Sequence, residues 1–423
     1  MPVKRSSNVN DIIKDKMCIH CGLCYSICPT SAIEWDEERI MPRVVENECI
    51  NCNLCRKVCP SVDFEGSYLP IYRDLKSYLI GPVREVMLSC ATDERLRRNS
   101  SSGGFITASL ITLLDMGVIN GAVVVTSNSA NPFLPRAIIS KNKEEIENAK
   151  GSKYTIAPTG LLIRELMKND GKFAVVGTPC QILAFKKAER VLKELKKKIV
   201  LYIGLFCGHV IYPEGYKMII KKETGKSHEN VKEIKYRGSG WPGYLSIVFK
   251  DGTILKLPHD YWIKLYFSSL LFTPKRCLMC NDATSELADI SVGDPWIPEI
   301  KRIEHLGMSL VIARTKRGAR ILDKIRESKN LWFKKAPIEY ITISQKTNIS
   351  YKKFNSHLLR RKIIGSSEML SMIYVKSGLK KRVKSFLGIW LMSNGGKVVQ
   401  KYYSVLPKLI IKLYSIMISL AVH

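Results

Sequence analysis

From about Met87 to Leu331, short β-rich apolar runs alternate with amphipathic stretches, a rhythm that argues for an α/β domain. FAVVG (173–177) and IVLYIGLF (199–206) are apolar throughout, as strands buried on both faces are, and a Lys-rich helix is expected between them. GAVVVT (121–126), ADISVGD and MSLVIART read as further strands, and FITASLITLLDMG as a helix closed by Gly117. YLSIVFKDGTILKL turns back on itself at Asp251-Gly252, a hairpin signal. A linker over 66–86, marked by Gly66, Pro70, Gly81 and Pro82, separates this domain (87–340) from a small unit at 1–65. Beyond about residue 340 the rhythm fades into a basic, helical tail, 341–423.

The chemistry of the small unit is written in its cysteines. Cys18, Cys21, Cys24 and Cys28 precede Pro29, and Cys49, Cys52, Cys55 and Cys59 precede Pro60, in two copies of C-x-x-C-x-x-C-x-x-x-C-P. That spacing wraps a chain around a cubane iron–sulfur cluster: the close triplet supplies three thiolates and the fourth cysteine reaches the other cluster. The expected sets are Cys18, Cys21, Cys24 and Cys59 on one cluster, and Cys49, Cys52, Cys55 and Cys28 on the other. Zinc closes with four ligands and does not account for the repeated pattern. A small α+β unit of the bacterial ferredoxin type is therefore expected at 1–65, carrying electrons.

Composition narrows the setting. The 423 residues suffice for two or three domains, and 46% hydrophobic content is ordinary for a folded, soluble protein. Metal-spaced cysteines without an export signal point to a reducing, cytoplasmic compartment, and no apolar run is long enough to span a bilayer. The net charge of +29 is uneven: residues 1–70 hold 8 Lys/Arg against 10 Asp/Glu, whereas 351–423 hold 14 against the single acid Glu368. No nucleic-acid-binding signature accompanies the basic segment. An acidic redox partner or an anionic lipid surface fits the charge.

A third cysteine group is scattered: Cys180, Cys207, Cys277 and Cys280. Thr178 can cap a helix and Pro179 suits its first position, so Cys180 would stand at a helix start on the carboxyl edge of a strand, where ligands bind in open α/β sheets. Cys207-Gly208 ends the next strand and is expected beside it; Cys277 and Cys280 form a C-x-x-C. From spacing alone the group is a third cluster, a zinc site, or single buried thiols. Ser100-Ser101-Ser102-Gly103-Gly104 precedes a helix at Phe105 and makes either an anion cradle or a plain hydroxyl-capped start. Gly238–Gly243 spells G-x-G-x-x-G, but Pro242 and the strand-like YLSIVF leave no helix to receive a pyrophosphate, so a glycine-rich turn is the reading. His209 reads as a structural imidazole, and Cys90, outside all three groups, as a small buried apolar residue.

With these pieces in order the chain resembles the family of coenzyme F-420 hydrogenase/dehydrogenase beta subunits, which includes 7-hydroxymethyl chlorophyll a reductases. The resemblance rests on RRNSSSGGF (97–105), GSKY (151–154), VVGTPCQ (175–181), LFCGH (205–209), YRGSGWPG (236–243), RCLMC (276–280) and ADISVGDPW (288–296). An N-terminal two-cluster ferredoxin segment is a known layout of that family. The resemblance implies FAD held at Ser101, Ser102, Gly103 and Gly104 with Lys153 and Thr178 close by, and a third 4Fe-4S cluster on Cys180, Cys207, Cys277 and Cys280. A bulky side chain at Gly103 is then expected to leave the iron but block the flavin. Some similar proteins do not use coenzyme F-420, and several belong to surface-polysaccharide pathways.

A flavin also suits the chemistry, since it joins one-electron carriers to two-electron hydride acceptors. The sequence thus leads to an iron–sulfur flavoprotein oxidoreductase acting on a small-molecule substrate such as coenzyme F-420. It would exchange electrons with a redox partner such as ferredoxin or a hydrogenase or dehydrogenase subunit. The rivals are a non-catalytic electron-transfer subunit, told apart by whether a substrate cavity opens at the flavin, and a tail-mediated binding protein. In KLIIKLYSIMISLAVH, Lys408, Lys412, Ser415 and Ser419 recur at helical spacing as a polar stripe, with Lys376, Lys380, Lys381, Arg382 and Lys384 beside Phe386 and Trp390 upstream. That pattern suits either a peripheral membrane contact or a helix packed on protein.

Overall fold

A computed structural model describes residues 8–62, 72, 74–355 and 408–422. Gly66 and Pro70 of the linker, and the upstream tail residues Lys376, Lys380, Lys381, Arg382, Lys384, Phe386 and Trp390, lie outside the described residues.

The N-terminal unit repeats in space as it does in sequence. The helices Leu23–Ile27 and Leu54–Val58 each follow a residue with positive φ, Gly22 (78°) and Asn53 (63°), which turns the chain sharply enough to bring the cysteine triplet round one point. Strands β1 (Ile33–Asp36) and β2 (Met41–Val44) pair antiparallel between them. Leu23, Ile27 and Val58 share a core with Phe173, Ile182 and Phe185 of the larger domain, so this unit is seated on its neighbour. Polar contacts lock the seat. The buried Lys187 ammonium donates to the carbonyls of Cys59 (2.7 Å) and Val62 (2.5 Å). Arg164 donates to those of Tyr25, Ser26 and Cys28. The Gly160 amide donates to Cys21 O at 2.7 Å, and a Cβ on Gly160 would come within 2.7 Å of that same oxygen.

The larger domain is built on an eight-stranded sheet of β3 (Glu85–Ala91), β4 (Gly121–Thr126), β5 (Arg136–Ser140), β6 (Phe173–Gly177), β7 (Ile199–Leu205), β11 (Ile290–Gly293), β12 (Ser309–Ala313) and β13 (Leu331–Lys335). Its order is β13-β3-β12-β11-β7-β6-β4-β5. The centre, β4, β6, β7 and β11, is parallel, and β5, β12, β3 and β13 join by antiparallel pairing. The expected βα rhythm is thus met at the centre of a mixed sheet. The central strands are apolar on both faces because helices cover them. β13 (LWFKK) ends in lysines and stands at an edge, where one side is free of partners.

A second, antiparallel sheet holds β8 (Val231–Lys235), β9 (Tyr244–Phe249) and β10 (Ile254–Pro258) in the order β10-β9-β8, with Gly252 (φ 82°) at the predicted hairpin turn. It buries Leu245, Ile247 and Phe249 with Tyr216, Trp262, Ile411 and Ile418. The last two belong to the terminal helix Lys408–Val422, which packs on the body. The expected polar stripe divides: Ser415 turns inward and donates to the Lys264 carbonyl, while Lys408 pairs with Glu223 at 2.8 Å. Lys412 is exposed. The side chain of Ser419 lies outside the described residues. Among the described residues no helix is long and apolar enough to cross a membrane.

The expected boundary at residue 340 falls inside continuous packing. Helices Glu339–Ser344 and Lys346–Ser350 and the turn Tyr351–Asn355 run on over the body, and Tyr351 Oη donates to the Leu278 carbonyl at 3.0 Å. Lys352 and Lys353, each 1% exposed, are interior residues and no part of a solvated tail.

Candidate functional site

Cys18, Cys21, Cys24 and Cys59 line one small apolar cavity of about 20 Å³, together with Pro60, Leu23 and Ile19. This is the crossed set expected from the spacing. Burial pushes the Cys18 thiol up to about 12, the neighbouring Cys59 adding to the rise. A metal centre that accepts these sulfurs as thiolates would offset that cost. The second set is more open: Cys55 is buried, Cys49 half-buried and Cys52 exposed. Burial, with Cys52 and Cys49 beside it, lifts Cys55 to about 11. Cys28 lies 3.8 Å from the Thr30 hydroxyl, which donates to the carbonyl of Glu48, next to Cys49.

The third group converges as well. Cys180 stands at the start of the helix Pro179–Val191. Thr178 is its N-cap and Pro179 its first residue, as expected, and the Gln181 side-chain oxygen reaches back to accept from both the Thr178 amide (2.8 Å) and the Thr178 hydroxyl (3.0 Å). Cys180, Cys207, Cys277 and Cys280 act on one another's ionisation. Burial holds Cys277 up at about 12. At Cys280 burial also opposes the thiolate, but the Lys352 ammonium and the Arg276 guanidinium outweigh it, so this thiol lies below its usual range. Cys21 feels Cys180, and Cys24 feels Cys55, so the three groups form a chain with the first in the middle. Among the described residues no three His, Cys, Asp or Glu side chains close up as round a single metal ion.

Beside the third group opens a cavity of about 520 Å³, within the range of cofactor and ligand sites. Its walls bring together stretches far apart in sequence: Ser101, Ser102 and Gly104; Lys153 and Tyr154; Gly177 and Thr178; Cys207 and His209; Asp294 and Trp296. One buried guanidinium ties these walls. Arg237 grips Asp294 through two bonds of 3.1 Å and donates to the carbonyls of Ser101 and Pro242 (2.6 Å each) and to Tyr154 Oη (3.0 Å). Asp294 also accepts from Trp241 Nε1 at 2.6 Å. The glycine-rich run 238–243 is therefore a turn that delivers Arg237 and Trp241, and strand β9 follows it, as expected, with no helix. Trp241 and His259 both stack on Trp296, with ring centroids at 4.9 and 5.0 Å.

The serine–glycine stretch lines the cavity, but no hydroxyl starts its helix. The helix Phe105–Asp115 is capped by Gly104 (φ 74°) and by no hydroxyl. Ser100 donates to Leu96 O and Ser102 to Met308 O, while Ser101 Oγ accepts from the Ser152 amide. A Cβ on Gly103 would come within 2.8 Å of the Met308 backbone, which is protein and not cavity. A bulky residue at Gly103 therefore reports on folding, and the occupancy test expected from the sequence does not hold. Lys153 donates to the Ala149 (2.6 Å) and Lys150 (3.1 Å) carbonyls. Burial, with the Lys150 charge beside it, holds its amine down to about 7. His209 stacks on Phe267 at 3.9 Å and bonds its carbonyl through Nε2, in keeping with a structural imidazole, yet it also lines the cavity. Cys90 is buried in β3 opposite Trp332. Sequence reading missed Arg237, Asp294 and Lys352; the first two lay inside motifs singled out for their glycines and proline.

Comparison with known proteins agrees with this architecture. The family model described as "Coenzyme F420 hydrogenase/dehydrogenase, beta subunit" is matched in both its parts, the N-terminal one by residues 86–164 and the C-terminal one by residues 170–338. Residues 11–64 match a 4Fe-4S dicluster domain. The beta subunit of the coenzyme F-420 hydrogenase of Methanothermobacter thermautotrophicus is 27% identical over 273 residues, covering 62% of this chain and 88% of that one. An F(420)H(2) dehydrogenase subunit of Methanosarcina mazei is 26% identical over 326 residues, covering 75% and 85%. A chain of the F-420-reducing [NiFe] hydrogenase complex from Methanosarcina barkeri shares the fold, with a TM-score of 0.54 at 23% identity over 69% of this chain and 96% of that one. The chain belongs to the family of coenzyme F-420 hydrogenase/dehydrogenase beta subunits and carries a 4Fe-4S dicluster domain at its N-terminal end.

Proposed function

We propose that the protein is a flavin-dependent iron–sulfur oxidoreductase that exchanges electrons between a redox partner and a hydride-accepting small molecule of the coenzyme F-420 kind. The observation that carries this reading is the 520 Å³ cavity, whose wall includes both the serine–glycine stretch and Cys207 of the third cysteine group. An open chamber at that junction favours an enzyme over a closed conduit. The donor sets fit their groups: four sulfurs round one small pocket, a second set of the repeated spacing, a third set whose members act on one another's ionisation, and a chamber of a size for FAD. When bound, clusters supply one-electron transfer and a flavin joins it to two-electron chemistry. The chain's part is positional. Arg237 fixes the chamber walls, Gln181 holds the turn that presents Cys180, and Lys153 offers a cation to a phosphate. The names of the relatives support coenzyme F-420 as the substrate and a hydrogenase or dehydrogenase subunit as the partner.

The test is turnover of coenzyme F-420 by anaerobically purified protein supplied with FAD and a reduced viologen. Catalysis that depends on FAD supports the enzyme. Flavin that exchanges electrons with the viologen while coenzyme F-420 stays unchanged would leave an electron-transfer subunit. The Lys153 assignment has its own check, a pH series of FAD affinity. A phosphate raises the pKa of an amine it pairs with, so above pH ~7 binding must take up a proton, and affinity should fall by up to about tenfold per pH unit. The Lys153→Met variant should bind more weakly, with little of that slope.

A second reading, supported by the terminal helix, is peripheral contact with an anionic membrane surface. While Ile411, Tyr414 and Ile418 face the body, Leu409, Ile410, Leu413, Ile416 and Met417 are exposed, at 42–66%. Even without the interior Lys352 and Lys353, the basic excess of 351–423 complements anionic headgroups. Deleting the helix would uncover the small sheet, so the variant to use is Leu409→Ser with Leu413→Ser and Met417→Ser. It should lose flotation with anionic vesicles, and native protein should ignore neutral ones. Equal flotation of variant and native protein, or self-association through this face, would reject the membrane.

A further inference from the structure

The sequence beyond residue 338 lies outside the matched family models, yet it sends a cation into the third cysteine group. Lys352 is 1% exposed. Its Nζ stands 3.4 Å from Cys280 Sγ and donates to the Asp282 carbonyl at 2.7 Å. Its charge acts on Cys180, Cys207, Cys277 and Cys280 alike. The other charges at the site are Arg276, which also acts on Cys59 of the first group, and the Asp282 carboxylate, which accepts from the Thr284 (3.0 Å) and Glu286 (2.9 Å) amides. Lys353, the next residue, is neutralised by Glu286 at 2.5 Å. Lys352 thus stands with its charge turned on the sulfurs.

We propose that Lys352 is a positioning residue for electron transfer that raises the reduction potential of the cluster held by Cys180, Cys207, Cys277 and Cys280. This rests on the third-cluster reading above. A cubane with four thiolates is anionic in both states and gains one more negative charge on reduction. A fixed cation a few ångströms away, in a site shielded from water, therefore stabilises the reduced state more than the oxidised one. The effect draws electrons towards the group that borders the 520 Å³ cavity and away from the more exposed second set. A purely structural lysine would hold the turn Tyr351–Asn355 against Asp282 and leave the potential alone.

The experiment is an EPR-monitored redox titration of the full chain, purified anaerobically, with iron content measured on the same samples. Lys352→Gln keeps a donor for the Asp282 carbonyl but removes the charge. It should lower the third midpoint by at least a tenfold change in the reduction equilibrium, about 59 mV for a one-electron couple. The two N-terminal midpoints should stay in place, and Lys352→Arg should recover at least half of the shift. An unmoved third midpoint in Lys352→Gln with full iron overturns the proposal. If Lys352→Gln loses the third cluster, Asp282→Asn decides: removing the opposing carboxylate must raise the midpoint, and a fall or no change overturns the proposal. Native protein with about eight irons instead of about twelve would signal a different failure, that of the third-cluster reading itself.

Discussion

Replacing Cys180 with Ala is expected to lower the iron content of anaerobically purified protein from about twelve atoms to about eight, and to disconnect flavin reduction from the N-terminal unit. The expectation comes from where this sulfur stands. Cys180 shares its surroundings with Cys207, Cys277 and Cys280 and also acts on Cys21 of the first group, so it lies at the junction of two sets. The Cys90→Ala variant is the control: Cys90 is buried in β3 opposite Trp332, with Arg97 and Glu304 as its charged surroundings. It should keep its iron and its activity. Full iron in Cys180→Ala, or loss of iron in Cys90→Ala, would overturn the assignment.

Breaking the Arg237–Asp294 pair should cost about 3–5 kcal/mol of stability, the range for stranding one member of a buried ion pair. The Arg237 side chain is fully buried and that of Asp294 is 15% exposed. In Arg237→Met the Asp294 carboxylate keeps only the Trp241 indole from this network, and the Ser101 and Pro242 carbonyls lose their donor. Unfolding followed anaerobically by circular dichroism would show the loss. The double variant Arg237→Met with Asp294→Asn should recover part of it, since no unpaired charge remains. If both single variants unfold within about 1 kcal/mol of native protein, by the same scale, the pair does not hold the cavity walls together.

What was legible in the chain follows the range of each interaction. The N-terminal dicluster domain could be read outright because its signature is a repeat with spacings of two and three residues. The central parallel strands were equally plain, since FAVVG and IVLYIGLF are apolar on both faces. The strands β5 (RAIIS) and β13 (LWFKK) are short, and at the edges only pairing with β4 and β3 makes them strands. Arg237 and Asp294 are separated by 57 residues and meet only after the two sheets are assembled. Lys352 looked like one more charge of a basic tail, for sequence does not distinguish a solvated lysine from one folded over a cysteine sulfur 72 residues away. At the serine–glycine stretch the helix start was legible, whereas the partners of its hydroxyls, which lie far along the chain, were not. Gly103 is small because the Met308 backbone passes beside it, and the Ser102 hydroxyl answers that same residue.

The seating of the N-terminal unit has a kinetic consequence. Arg164 and Lys187 bind the carbonyls that end both cysteine-bearing helices, and the two units share one apolar core. The unit is a fixture of the body, not a tethered shuttle that must find its dock on each cycle. Internal transfer therefore runs over constant distances, and its rate should be indifferent to solvent viscosity and to the length of the segment joining the units. On the proposed function, encounter with an external partner is left as the diffusive step, and among the cysteines of the two N-terminal sets Cys52 is the one exposed to it.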